Sequence, residues 1–169
     1  MRELSRREAL AAGLAGAAAL AFGPAAAAAA PDQGAALTAL VRAEEDAVYV
    51  YGNADLGRLG EELAAQEGEH AKALATQVQA LGLAIPGPTR SRDGLGPAAL
   101  AVLEGGDRAA RRNAAIAFEQ TLADGCAERL AQLEGPGILR TVATVMASHA
   151  QHRALLERDA GRDLLSSSP

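Results

Sequence analysis

Glutamate and histidine recur on the apolar side of the helical stretches of this chain, where Leu, Val or Ala would be expected. Glu44 falls in one stripe, Glu67 with His70 in a second, Glu119 in a third, and His149 with His152 in a fourth. A carboxylate or imidazole taken out of water is costly unless it is paired or bound to a metal. Glu67 and His70, like His149 and His152, are three residues apart, so each pair shares one helix face and can reach one ion or ion pair together. Carboxylates can bridge and neutralise cations while each imidazole gives a nitrogen. The six together point to a metal site inside a helical bundle. A satisfied Glu–His hydrogen-bond network with no ion is the competing reading.

Four helices must position these groups. Leu37, Leu40, Val41, Glu44, Ala47, Val48 and Tyr51 recur at helical spacing and define the inner face of the first. Tyr51 lies two turns from Glu44 on that face, either as a redox-active or hydrogen-bonding group beside the site or as a cap of the bundle end with its hydroxyl in solvent. The second helix carries Leu59, Leu63, Glu67, His70, Leu74, Val78 and Leu81, with Gln66 and Gln77 as boundary residues flanking the stripe. Gly82 is a natural C-cap, and Pro86, Gly87, Pro88, Gly94, Gly96 and Pro97 break the segment after it. A short helical turn fits Ala98 to Leu103. Asp107 is an N-cap for the third helix, whose inner face reads Ile116, Glu119, Ala123, Cys126, Leu130 and Leu133. After Gly135-Pro136-Gly137 the fourth shows Ile138, Val142, Val145, His149, His152 and Leu156. No strand pattern is present.

Connection lengths set the topology. Two short turns and one middle connection of roughly twenty-five residues predict an all-α fold of two antiparallel hairpins joined by a long crossover. Ligands from four helices meet only at equal depth, and equal depth in a hairpin means equal distance from its turn. The midpoint between Glu119 and the His149/His152 pair falls near residue 135, and that between Glu44 and the Glu67/His70 pair near residue 56. Both coincide with independent turn signals.

With these residues in place the chain resembles the ferritin-like superfamily, whose di-metal members take one Glu from each of two helices and a Glu-x-x-His from each of the other two. Glu44 matches the single Glu of the first helix, Glu67-Gly68-Glu69-His70 the first Glu-x-x-His, and Glu119 the single Glu of the third helix; His149-Ala150-Gln151-His152 stands in place of the second Glu-x-x-His. The resemblance spans nearly all of residues 31–162 and is to small exported bacterial ferritin-like proteins of unassigned function. It implies a ferritin-like four-helix bundle that binds transition metal ions, iron ahead of manganese or zinc, with oxidase or peroxide-related activity. His149 is the departure: three carboxylates remain where the full pattern has four, so two divalent cations would carry one excess positive charge. That favours a mononuclear or asymmetric site, or a shift toward zinc or copper over di-iron.

The alternative of a different class is a non-catalytic helical module of the cell envelope with a degenerate site. Bis-histidine haem ligation is disfavoured, since no C-x-x-C-H is present and carboxylates sit badly beside a porphyrin. Cage-forming iron storage does not fit a short chain with no fifth helix after Leu156.

Residues 1–30 read as an export signal. Ser5-Arg6-Arg7-Glu8-Ala9-Leu10 resembles a twin-arginine motif, an apolar run reaches Phe22, and Ala25 to Ala30 offer small-residue cleavage sites. Ala9 departs from the bulkier apolar residue usual there. The twin-arginine route carries folded, often cofactor-loaded proteins, which a buried metal site would suit. The run is too short and alanine-rich for a comfortable bilayer anchor, and no second span occurs downstream. The net charge of −5 becomes one unit more negative without the leader. An acidic chain with 2% aromatic residues and no basic stripe is a poor nucleic-acid binder. Cys126 is the sole cysteine, which excludes an intrachain disulfide and leaves a small core residue, a reactive thiol or a metal ligand open. A homodimer through an exposed helix face is compatible with the pattern, no feature names a protein partner, and residues 163–169 read as a disordered tail.

Overall fold

The computed structural model describes residues 33–161; the leader read at 1–30 and the tail read at 163–169 lie outside the described residues. Among the described residues every regular element is helical: α1 (Gln33–Asn53), α2 (Arg58–Ala80), the short α3 (Pro97–Glu104), α4 (Arg108–Leu130) and α5 (Pro136–Asp159). No helix among them is long and apolar enough to cross a membrane. At 21 to 24 residues the four long helices have similar lengths, roughly 30–36 Å at the α-helical rise, so side chains near their middles can share one level.

The helices form a closed bundle. α1 packs on α2 and α4, and α5 packs on α4 and α2. The α1–α2 turn falls beside residue 56 and the α4–α5 turn closes at Gly135, as the depth argument requires. Contacts at the two ends fix the connection between the hairpins. Arg108, the first residue of α4, pairs with Asp55 in the first turn at 3.5 Å, and Arg112 pairs with Asp159 at the end of α5 at 2.6 Å. At the opposite end the Glu134 amide donates to the side chain of Gln33. α2 therefore finishes at one end of the bundle and α4 starts at the other, and residues 81–107 run the length between them. Along the way Thr89 donates to Asp46 of α1, and α3 packs on α4 and α1.

Local chemistry sets the helix boundaries. Gly82, at φ 72°, ends α2 in a Schellman motif: its amide donates to the Gln79 carbonyl and the Leu83 amide to that of Val78. Asp107 accepts from the Ala110 amide at 2.8 Å and so caps α4. Gly135, at φ 92°, makes the reversal into α5, which Pro136 then starts in a position needing no amide donor.

The core has two apolar halves with a polar layer between them. One half gathers Leu37, Leu40, Val41, Leu74, Val78, Cys126, Leu133, Val142 and Val145. The other gathers Val50, Tyr51, Leu63, Val102, Ile116, Phe118, Leu122 and Leu156. Several positions depart from the expected inner faces: Val48, Leu59, Ala123, Leu130 and Ile138 are half-buried and Leu81 is exposed. Val48 is half-buried while Val50 is buried, because α3 and α4 cover a second flank of α1. Leu59 is half-buried beside the turn. Leu81 is 40% exposed, since the Schellman motif ends the helix one residue before it.

Removing the Asp107 cap tests the helix start directly. Asp107→Ala is expected to lower unfolding stability by about 1 kcal/mol in denaturant melts, and Asp107→Asn by much less. Equal losses in the two variants would show that the side-chain oxygen does not cap α4.

Candidate metal centre

The polar layer consists of the six residues singled out by type and spacing. Glu44, Glu67, Glu119, His149 and His152 are no more than 1% exposed, and His70 is part-buried. α1 supplies Glu44, α2 supplies Glu67 and His70, α4 supplies Glu119, and α5 supplies His149 and His152. Each sits near the middle of its helix between the two apolar halves, which is why all meet at one level.

Their donor atoms interlock. His149 donates from Nδ1 to Glu119 Oε2 at 2.9 Å and from Nε2 to Glu44 Oε1 at 3.1 Å. His70 donates from Nδ1 to Glu67 Oε2 at 2.7 Å and lies 3.4 Å from Glu44 Oε2. His152 Nδ1 donates to Glu67 Oε1 at 3.0 Å and lies 3.6 Å from Glu119 Oε1. Ring centroids of the three imidazoles are 5.6 to 6.0 Å apart. Two groups emerge, each with donor atoms all within 4.8 Å of one another: Glu44, Glu67, His70 and His149, and Glu67, Glu119, His149 and His152. Either could hold a metal ion.

Two residues beyond the six enter the site. The Tyr51 hydroxyl is buried and donates to Glu119 Oε1 at 2.5 Å, which selects the hydrogen-bonding role over the solvent-facing cap. Gln66, expected to be a boundary residue, accepts from His152 Nε2 at 2.7 Å. Its backbone position is at the stripe's edge, as the spacing indicates, but its side chain reaches across to α5. The hydropathy of α2 alone contains no trace of that contact. Gln77 stays half-buried at the boundary. Cys126 is buried in the apolar half beside His149 and belongs to neither group.

Electrostatics in this layer are set by proximity. Burial pushes the Glu44 carboxyl up, but the hydrogen bond from His149, the nearby His70 and the His149 charge outweigh it and bring the pKa down to about 2. Burial disfavours the charged form of all three imidazoles, and the surrounding groups reverse that. His149 rises to about 12 through contacts with Cys126, Glu119 and Glu44. His70 rises to about 9 through Glu44 and Glu67, and His152 to about 9 through Glu119 and Glu67. Burial and the adjacent Glu119 raise Tyr51 well above its ordinary value, so it stays a neutral donor. Without a metal the three imidazoles are therefore held in the imidazolium form beside the glutamates of the layer.

The donor set fits a metal. Imidazole nitrogen suits zinc, copper, iron and nickel, and carboxylate oxygen adds charge neutralisation. Glu44 Oε2 is buried and has no hydrogen-bond partner, although it faces His70 across 3.4 Å. A buried acceptor left unsatisfied is costly, and a coordinated cation would satisfy it. A cavity of about 550 Å³ reaches Glu44 from between α1, α3 and α4, lined by Leu40, Ala43, Phe118 and Leu122 and by the acidic Asp46, Asp124 and Glu128. A somewhat larger arginine-rich cavity, about 610 Å³, is lined by none of the six.

Known proteins do not decide the reading. No family model, curated protein or solved structure matches the chain.

The charges assigned to the metal-free layer fix its pH dependence. The imidazoles titrate above the free value of about 6.5, so their stabilisation is complete below that pH and is lost as pH rises through about 9, where His70 and His152 deprotonate. Glu44 titrates below the free value of about 4.5, so its contribution is present above that pH and is lost as pH falls toward 2. The melting temperature of chelator-treated protein is expected to peak between about pH 4.5 and 6.5 and to have dropped by pH 9. A value flat or rising from pH 6.5 to 9 would contradict these charges.

Proposed function

We propose that the chain is an exported metal-binding protein of the ferritin-like type, with the six residues of the polar layer as its centre. The reading rests on one observation above the rest: Glu44 Oε2, buried and without a hydrogen bond, faces a ring of five other metal-competent side chains drawn from three further helices. The full-length crossover, which runs outside the bundle between the ends of α2 and α4, supports the ferritin-like assignment. Iron, manganese, zinc and copper are the metals the donors suit.

A bound metal would supply oxidase or peroxide-related redox chemistry or Lewis acidity there. The protein's own groups prepare the site. Tyr51 holds one oxygen of Glu119, which orients the other toward His149. Gln66 accepts a hydrogen bond from His152 Nε2 and so directs Nδ1 toward Glu67 and Glu119. The cavity beside Glu44 gives a small molecule or an incoming cation a path from solvent, and its acidic residues, which outnumber Arg129 there, favour the cation.

A second reading, a non-catalytic helical module of the cell envelope, is favoured by the pairing itself, because every imidazole of the layer meets a glutamate without any ion. Metal-linked stability separates the two. Under the first reading, zinc or ferrous iron at 100 times its Kd adds about 2.7 kcal/mol, roughly 10 °C in melting temperature for a domain of this size. The gain increases from pH 6.5 to 9 because metal and protons compete for the imidazoles. Replacing Glu67 and His152 together with Leu is expected to abolish it. Under the second reading added metal moves nothing, and the same double variant is as stable as the parent or more so.

A further inference from the structure

His149 stands where a fourth carboxylate would complete the metal-ligand pattern, and it differs from the other two imidazoles in the groups its nitrogens face. His70 and His152 each turn one nitrogen, Nδ1, toward the carboxylates, and His152 has its other nitrogen occupied by Gln66. His149 turns both inward. Nδ1 lies 2.9 Å from Glu119 Oε2 and 3.7 Å from Glu67 Oε1, within the group that includes His152. Nε2 lies 3.1 Å from Glu44 Oε1, and Glu44 belongs to the group that includes His70. Glu67 divides its atoms in the same way, with Oε1 beside His152 and Oε2 beside His70. These two residues alone belong to both groups.

We propose that the centre is dinuclear and that His149 is its bridge, bound as an imidazolate through Nδ1 to one ion and Nε2 to the other, with Glu67 spanning the pair through its two oxygens. The proposal rests on the metal-binding reading above and goes beyond it by assigning nuclearity and the bridging ligand.

Geometry supports the bridge first. A fully buried ring with a carboxylate facing each nitrogen has each lone-pair direction aimed at a separate anionic pocket, so a cation can replace the proton on either side without the ring turning. Charge supports it as well. Two divalent ions bring four positive charges and the three glutamates return three. A neutral imidazole leaves one excess positive charge in a buried layer, where unbalanced charge is costly. An imidazolate carries the missing negative charge, so His149 can stand in for the carboxylate of the full pattern. Finally, Glu44 Oε2, which faces His70 Nδ1 across 3.4 Å without a hydrogen bond, gives the His70 side an anionic donor for an ion of its own.

As two ions bind, the ring protons of His149 leave to solvent, one from the Nδ1 side and one from the Nε2 side. No electron is transferred. Bound cations acidify the groups they touch by many orders of magnitude, which drives the second loss. Metals with high affinity for imidazole nitrogen, copper and zinc foremost, are the ions expected to take this form.

Zinc alone is a sufficient probe, because it is diamagnetic and the chain has only three histidines, all in the centre. The full chain, stripped with chelator and titrated with zinc, is expected to bind two ions. The ring nitrogens of each histidine are then read by ¹⁵N NMR through the carbon-bound ring protons and assigned by through-bond connection to the backbone. His149 is expected to show two metal-bound nitrogens and no N–H, while His70 and His152 show at most one metal-bound nitrogen each. His149→Gln offers one terminal oxygen and no second nitrogen, and is expected to fall from two tightly bound zinc ions to one. Two zinc ions with an N–H retained on His149, one zinc ion per wild-type chain, or two tight ions in a folded His149→Gln variant would each overturn the bridge while leaving a metal centre standing. No zinc bound to the wild-type chain would remove the centre and the bridge together.

Discussion

Three carboxylates and three imidazoles are buried together at one level of a helical core, and the molecule has to neutralise them there. Each alone would cost several kcal/mol of desolvation. Together they are tolerable, because every imidazole has a carboxylate within 2.7 to 3.1 Å. The apolar halves on either side hold the layer in place. Leu37, Leu40 and Leu74 on one side and Leu63 and Leu156 on the other are each at most 2% exposed, and side chains of that kind contribute about 1.5–3 kcal/mol apiece on burial. The apolar packing sustains the polar layer, and the polar layer in turn fixes the register of the four helices.

That register requirement explains the connections. A residue shift of one in any long helix would carry its Glu or His about 100° around the axis and out of the layer. The turns are correspondingly defined, by the Arg108–Asp55 pair at one end and Gly135 with the Gln33–Glu134 contact at the other. The crossover is the costlier piece, a long ordered segment outside the bundle. It is tied down by Thr89 on Asp46, by the Arg92–Glu104 pair at 2.7 Å, and by Ala99 and Val102 of α3 packed into the core. It also forms one wall of the cavity that reaches Glu44, so the segment that closes the fold also shapes access to the site.

Much of this was legible in the residues alone. A Glu or His in a Leu/Val stripe is conspicuous, and the equal-depth rule converts spacing into turn positions without coordinates. Gly82 and Asp107 mark helix ends through backbone chemistry that is local to the sequence. Other features were not legible. Long polar side chains at a stripe's edge, such as Gln66, can turn to solvent or reach across to a neighbour, and only the neighbour's position decides. Tyr51 was poised between two roles for the same reason, and the settling fact is Glu119 on a helix 68 residues away in sequence. Leu81 matched the α2 period but falls beyond the helix end, since periodicity continues past a stop that the next residue imposes. Which nitrogen of each imidazole faces which oxygen depends on side-chain rotation and cannot be read from spacing at all.

Whether cations occupy the layer is most directly answered by diffraction from crystals of the protein grown with zinc or iron, with data on both sides of that metal's absorption edge. Anomalous density is expected between the helices, within bonding distance of Glu67 and His149 and flanked by Glu44 with His70 or by Glu119 with His152. An empty layer, with the six side chains hydrogen-bonded only to one another and the metal found solely on the surface, would contradict a metal centre.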